Sequence, residues 1–392
     1  MAAPRPILPG VSVAFVRDWM TVYGGADRTM AAALELFPKA PIHTLVYQPE
    51  HFRGTPIGRH PIKTSFLQHW PGARTLHRSY LPLMPLAIEQ LDLRGYDLVV
   101  SMSHAVAKGV LTRADQLHIS YCFTPARYVW DLYFEHLDRC GPRGPRRWAA
   151  GCLLHYLRLW DQASTSRVDV FVASSRTVAR RIWKTYRRQS EVVYPPVDVD
   201  RFTAGEPRDD YYLTVSRLVP YKQVPMMAKA FDRLRRRLVV IGEGPDRAAV
   251  ERAGGVWVEL LGRQPDAVVR DHMQRCKAFV FAADEDFGIA PIEAQAAGAP
   301  VIAYGRGGAT ETVIENRTGL FFDEQRVGCL VEAVERFEAI AGRFDPEQIR
   351  LTTHRFSRER FQRQLAALID REWDRFQSHA SLELREPRSL VS

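Results

Sequence analysis

Ala278-Phe-Val-Phe-Ala-Ala-Asp-Glu-Asp-Phe-Gly-Ile-Ala-Pro-Ile-Glu-Ala-Gln-Ala-Ala-Gly298 is the stretch from which the rest of the chain can be ordered. Its first six residues are short, apolar and aromatic, as in a strand buried on both faces, and Pro300-Val-Ile-Ala-Tyr304 reads as another strand. Between them, Pro291 suits the first turn of a helix, where its missing N–H is no loss, and Gly298 suits the helix end. The stretch is therefore strand, loop, helix, strand. Glu285 falls in the loop, Glu293 in or near the first helical turn, and the backbone N–H groups from Gly288 to Ala290 lie at the helix start. Open α/β sheets bind ligands at the carboxyl ends of their strands, so two carboxylates and these donors form a candidate site. A solvated acidic loop ahead of a core helix is the plainer reading of such a pair taken alone.

Outward from this stretch, the second half of the chain alternates strand and helix. Strands are expected at Tyr211 to Val215, Arg237 to Ile241, Val256 to Leu261, and Gly319 to Phe322. That regularity predicts a parallel, doubly wound sheet. Ser216-Arg-Leu-Val-Pro-Tyr-Lys222 places Arg217 and Lys222 in one strand-to-helix turn. Together they can neutralise a diphosphate, the guanidinium as a fork and the ammonium as a point charge. Gly242-Glu-Gly-Pro-Asp246 is a further glycine-rich turn, and it lacks the third glycine of a dinucleotide-binding fingerprint.

The first half has the same alternation. Strands are expected at Val11 to Val16, Pro41 to Tyr47, Tyr96 to His104, Gln116 to Phe123, and Val168 to Ser174. Gly24 and Gly25 stand between the first strand and a helical run, where a backbone can approach an anionic ligand. His104 lies where a strand exits and is a candidate ligand contact, although a lone histidine is more often structural. From Arg143 to Arg188 arginines and lysines are interleaved with Trp148, Tyr156, Leu159 and Trp160, the composition of a helix with apolar and cationic faces. An anionic membrane surface fits it, and so does a surface helix packed on its own domain. No nucleic-acid motif accompanies the charge. Pro-Pro-Val-Asp-Val-Asp-Arg201 reads as a linker, so its Asp198-x-Asp200 spacing is not taken as a metal site.

The 392 residues suit two domains, and 46% hydrophobic with 25% charged residues places the chain among globular proteins. A net charge of +9 favours anionic partners. The five cysteines are scattered without a C-x-x-C pair, so neither a disulfide framework nor a zinc site is expected, and a reducing compartment is. The N-terminus makes a poor signal peptide, and no apolar run reaches the roughly 18 residues of a membrane span.

As a set, these motifs resemble the retaining glycosyltransferases of family 4, also called group 1. They are Glu285-Asp-Phe-Gly-Ile-Ala-Pro-Ile-Glu293 with its E-x7-E spacing, Ser216 to Lys222, Ile241-Gly-Glu-Gly-Pro245, Gly305-Arg-Gly-Gly-Ala309 with Glu311, Gly24-Gly25, and Ser103-His-Ala-Val-Ala-Lys-Gly109. The resemblance implies an α/β chain of GT-B architecture, two Rossmann-like doubly wound parallel-sheet domains facing a cleft. An acceptor-side domain is expected over 1–203 and a nucleotide-sugar domain over 204–355. A C-terminal helix over 356–378 is expected to pack back on the first domain, with a flexible tail over 379–392.

By the same resemblance, Glu285, Lys222, Arg217 and His104 are the catalytic candidates. Gly24, Gly25, Arg217, Lys222, Glu243, Phe287, Gly288, Ile289, Ala290 and Glu293 are the donor-binding ones. Many relatives carry a histidine where this chain has Phe123. The implied reaction is hexose transfer with retention, mannose from GDP-mannose, to a polyprenyl-linked saccharide in cell-surface polysaccharide assembly. No cofactor or metal is expected, and the implied place is the cytoplasm, peripheral on the inner membrane. A UDP-sugar donor, a nucleotide-sugar hydrolase or epimerase, and a non-catalytic nucleotide-binding scaffold remain the alternatives.

Overall fold

The computed structural model describes residues 7–138, 140–204 and 208–383. The chain divides into two compact units, residues 1–195 with 361–392 and residues 196–360. The division falls at 195/196, a few residues before the expected 203/204, at the second proline of the Pro-Pro pair.

Seven strands form the sheet of the first unit: β1 (Val13–Arg17), β2 (Ile42–Thr44), β3 (Ile62–Thr64), β4 (Leu98–Ser103), β5 (Leu117–Cys122), β6 (Val170–Ala173) and β7 (Ser190–Val192). They lie in the order β3-β2-β1-β4-β5-β6-β7, and every pairing is parallel. The second unit holds β8 (Tyr212–Val215), β9 (Leu238–Ile241), β10 (Val258–Gly262), β11 (Ala278–Phe281), β12 (Val301–Tyr304) and β13 (Gly319–Phe322), in the order β10-β9-β8-β11-β12-β13, again parallel throughout. Strands such as β1, β4, β5, β9, β11 and β12 are buried along their whole length, because helices cover both faces of each sheet. β3 and β7 were not anticipated. Ile-Lys-Thr and Ser-Glu-Val are short and only half apolar, as edge strands are.

The last helix spans Arg358–Glu383, with Ser357 Oγ accepting from the Arg360 N–H at 3.3 Å. It starts in the second unit and continues in the first, where Phe361, Leu365, Leu368 and Ile369 enter the core. Their i, i+4, i+7, i+8 spacing is the buried stripe of an amphipathic helix. Helix continues through residues 379–383, the start of the expected tail, and residues 384–392 lie outside the described ones.

Two polar features fix the first unit's interior. His118 on β5 is fully buried, and its two ring nitrogens lie 2.8 Å from the Arg167 carbonyl and 2.8 Å from Ser101 Oγ. A neutral ring with Nδ1 donating to the carbonyl and Nε2 accepting from the hydroxyl satisfies both. Lys108 and Asp161 form a buried ion pair at 2.8 Å. The ammonium also donates to the Asp161 carbonyl at 2.9 Å and Ser164 Oγ at 2.7 Å, and the carboxylate accepts from Trp130 Nε1 at 2.7 Å and the Tyr186 hydroxyl at 2.9 Å. This network ties the segment after β4 to the helix Pro145–Ala163 and to the helix Arg176–Tyr186.

Two outcomes are expected. Burial holds the His118 pKa down at about 4 against an ordinary 6.5, so the unfolded chain takes up that proton first as the pH falls. The stability from its neutral ring is complete above pH 6.5 and is lost between 6.5 and 4, by about 2 kcal/mol at pH 5. Denaturant titrations from pH 7 to 5 should therefore show a shallower pH slope for His118→Gln than for the parent chain. Lys108→Met should destabilise by roughly 3–5 kcal/mol by leaving a buried carboxylate unpaired, and adding Asp161→Leu should recover most of that loss in urea unfolding.

Candidate functional site

Strand order reverses direction once in each sheet, between β1 and β4 in the first unit and between β8 and β11 in the second. Crevices outside the carboxyl ends of such strand pairs are where doubly wound sheets bind ligands. Residues from the sequence motifs occupy both places.

In the first unit, β1 ends in Arg17-Asp18 and β4 in Ser103-His104. Asp18 is fully buried and accepts from the backbone N–H groups of His104 at 2.8 Å, Val106 at 2.6 Å and Ala107 at 2.7 Å. Its carboxylate lies 2.7 Å from His104 Nδ1. Burial alone would raise the Asp18 pKa. The His104 charge and hydrogen bonds, with Arg17 beside them, outweigh burial and hold the carboxyl well below the usual range. Arg17 Nη1 lies 3.0 Å from the same His104 nitrogen. The carboxylate is closer and negative, so the proton belongs on Nδ1, leaving Nε2 for a ligand. The His104 side chain keeps 31% exposure and is met edge-on by Trp19 at 4.6 Å.

Arg17 is itself buried, donating to the Met102 carbonyl at 3.0 Å, with Asp27 3.5 Å away and its guanidinium 5.1 Å above the Phe123 ring. Asp27 in turn accepts from the Gly24 N–H at 2.9 Å, so the Gly24-Gly25 turn at the start of the helix Gly25–Leu34 is linked to the same charge network. Arg17 and Asp18 were not foreseen as site residues. A charged pair ending a strand was the available signal, and it is a common pattern.

In the second unit, the segment after β8 carries Arg217, exposed and without an ion-pair partner among the described residues, and Lys222 on a short turn, Pro220–Lys222. Lys222 Nζ is ion-paired with Glu285 Oε1, both side chains at least four-fifths buried, and it lies 5.6 Å from the ring centres of Phe281 and Tyr221. The Gly242-Glu-Gly turn packs on Ser216 to Leu218. Gly242 and Gly244 have φ of +138° and +159°, and a Cβ on either would fall 1.9 Å from the Ser216 carbonyl oxygen or 2.2 Å from that of Leu218. Only glycine permits that approach. Glu243 between them is exposed and accepts the Leu218 N–H on its carbonyl at 2.9 Å.

The Glu285 loop is held from the other side by Gly307 and Gly308. A Cβ on Gly307 would lie 2.4 Å from the Glu285 carbonyl oxygen, and one on Gly308 2.3 Å from Phe287 Cα, while the Gly308 N–H donates to the Glu285 carbonyl at 2.7 Å. Gly288, at φ +84°, then turns the chain into the helix Ile289–Ala296. Its first N–H groups, at Ile289 and Ala290, have no acceptor within the helix. The side chain of Phe287 is buried against Phe356, 5.5 Å between ring centres, so its backbone is what the loop offers.

Glu293 lies within this helix, nearly buried. It accepts from Arg201 Nη2 at 2.6 Å, and Arg201 Nη1 is 3.6 Å from Asp266. Arg201, from the segment read as a linker, is thus a third residue that sequence reasoning missed. The neighbouring Asp198 is 3.8 Å from Arg358. Among the described residues no group of three or more histidine, cysteine, aspartate or glutamate side chains is arranged to hold a metal ion.

Residues 198–346 match the sequence family described as "Glycosyl transferases group 1". Over 177 residues the chain is 34% identical to the GDP-mannose-dependent alpha-(1-6)-phosphatidylinositol monomannoside mannosyltransferase of Mycolicibacterium smegmatis, a match that covers 36% of this chain and 44% of that protein. The chain thus spans less than half the length of that relative. It is 23% identical over 315 residues to the alpha-1,3/1,6-mannosyltransferase ALG2 of Mus musculus, covering 68% of this chain and 71% of the relative.

Among solved structures it is similar to Anabaena HepE in complex with UDP, with a TM-score of 0.68 at 14% identity over 91% of this chain and 99% of the other. It is similar also to sucrose-phosphate synthase from Thermosynechococcus elongatus, with a TM-score of 0.71 at 16% identity over 93% and 99%. The second unit is therefore a group 1 glycosyltransferase domain, in a chain that has the two-domain GT-B fold and resembles mannosyltransferases.

Proposed function

We propose that this protein is a retaining glycosyltransferase that transfers mannose from GDP-mannose to a lipid-linked saccharide during cell-surface polysaccharide assembly, working at the cytoplasmic face of a membrane. The observation that carries the reading is the Lys222–Glu285 pair, with Lys222 on the segment after β8 that also carries Arg217, at the strand reversal of the domain that matches group 1. Departure of a nucleoside diphosphate leaves growing negative charge on the leaving oxygens. Fixed cations stabilise it without reorganising, and the N-terminal end of the helix Ile289–Ala296 adds its positive dipole. Glu285 occupies one of the three Lys222 donors and holds the ammonium in place, leaving the others for phosphate oxygens. The same carboxylate can tolerate positive charge developing on the sugar ring and accept from its hydroxyls.

Glu293, held in place by Arg201, is the residue that accepts from a ribose hydroxyl in this reading. His104, its Nδ1 proton fixed by Asp18, offers Nε2 to the sugar. The GDP-mannose assignment rests on the activity for which the Mycolicibacterium smegmatis relative is named, and the lipid-linked acceptor on the same relative's phosphatidylinositol monomannoside. The functional reading requires no metal or cofactor.

Radiolabelled donors offered with a membrane lipid extract test the proposal, and label should pass from GDP-mannose into lipid with the anomeric configuration retained. Transfer from UDP-glucose alone would overturn the donor, and free sugar released with or without extract would overturn the transferase reading. Lys222→Ala and Glu285→Ala should each lower kcat on the order of 10²- to 10³-fold, and the double variant should lose little more, because the pair acts as a unit. Asp18→Asn should lower kcat by roughly 10- to 100-fold with KM for the donor nearly unchanged, through loss of the fixed His104 tautomer, which steady-state kinetics separate.

A further inference from the structure

The helix Pro145–Ala163 turns Leu154, Leu157 and Asp161 inward. Its outward side is not the polar one that such a helix normally shows to water. Trp148, Ala149, Cys152, Tyr156, Leu159 and Ala163 are all exposed and succeed one another at spacings of one, three or four, a continuous apolar stripe along the whole helix. Trp148 is 74% and Leu159 59% exposed. No carboxylate interrupts the stripe, since the single acid between Arg143 and Ala163 is Asp161, which is buried and paired with Lys108.

The cations are arranged differently. Arg158 is occupied by the Val129 carbonyl and the Tyr133 ring, and Arg147 by Asp138. Arg143 and Arg146, at the start of the helix, are exposed and without an ion-pair partner among the described residues. On the adjoining helix Tyr133–Asp138, Phe134 is 72% exposed, and a groove of about 530 Å³ opens between Tyr133 and Leu137 of that helix and Arg143, Trp148 and Cys152. Glu135 and the paired Asp138 are the carboxylates of that shorter helix.

From this arrangement we infer that the outward face of the helix Pro145–Ala163, with Phe134, is a docking surface for an anionic lipid bilayer. An apolar stripe carrying Trp and Tyr suits the boundary between headgroups and acyl chains, and two free guanidiniums at one end suit lipid phosphates. Charge complementarity selects a membrane over a second copy of this basic chain, whose matching face would bring the same arginines together. Arg146, Arg147, His155, Arg158, Asp161 and Gln162 make the helix too polar to cross a bilayer, and among the described residues no helix is long and apolar enough to do so. It lies in the surface plane, the stripe immersed and Lys108–Asp161 fastening it to the sheet from behind. The surface deepens the reading of a membrane-borne acceptor, and the experiment uses neither donor nor acceptor, so the two can fail separately.

Flotation of the full chain is measured with phosphatidylcholine vesicles containing or lacking phosphatidylglycerol. Binding to the anionic vesicles is expected, with Trp148→Ala/Leu159→Ala weakening it by about tenfold. Arg143→Gln/Arg146→Gln should remove the preference for phosphatidylglycerol and reduce the salt dependence. All four side chains are exposed, and far-ultraviolet circular dichroism and Tm confirm that each variant is folded. No flotation of the parent chain, equal flotation of parent and Trp148→Ala/Leu159→Ala, or a dimer in sedimentation that this variant disperses would overturn the proposal.

Discussion

A parallel sheet covered on both faces has no surface of its own to offer a ligand, and this constraint organises both halves of the molecule. Side chains along β1, β4, β9 and β11 are committed to packing, and the edges of the first sheet are closed by short, half-polar strands. What is left is the row of strand ends, and within it the one place per sheet where neighbouring crossovers depart in opposite directions. Asp18 and His104 meet at that place in one unit, Lys222 and Glu285 in the other. The candidate sites are thus positioned by connectivity.

Backbone, more than side chains, keeps these ends in place. Asp18 holds the His104 segment through the three N–H groups of His104, Val106 and Ala107, and four glycines let the 242–244 and 307–308 turns lie against the segments that carry Arg217 and Glu285. A β-carbon at those glycines would overlap a carbonyl or an α-carbon. The glycine-rich motifs in this chain are accordingly contacts between loops.

Periodicity and turn chemistry made most of this fold legible. Eleven of the thirteen strands were visible as short apolar runs, and the Pro291 to Gly298 helix by its own start and stop signals. The site was legible where motif and strand end coincide, at His104, Arg217, Lys222, Glu285 and the Gly288 turn. It was not legible where partners are far apart in sequence. Nothing in Arg17-Asp18 announces that its carboxylate will bind N–H groups 86 to 89 residues later. Nor does Arg201, in a proline-flanked segment, announce its contact with Glu293, 92 residues later in the chain. Composition placed aromatic and basic residues together over 143–167 but could not say which face of the helix each would take, because that depends on Lys108 drawing Asp161 inward.

The helix Arg358–Glu383 makes the first unit discontinuous in the chain, and this sets an order of events during synthesis. Residues 1–195 emerge first, yet their core lacks Phe361, Leu365, Leu368 and Ile369 until residues 196–360 have also been made. The second unit, 196–360, is complete before they appear. The later-made half is thus the first able to finish folding, while the earlier half waits with an apolar groove open to water. Exposed surface of that kind is what nascent chains must have shielded, and here the wait lasts for the translation of an entire domain.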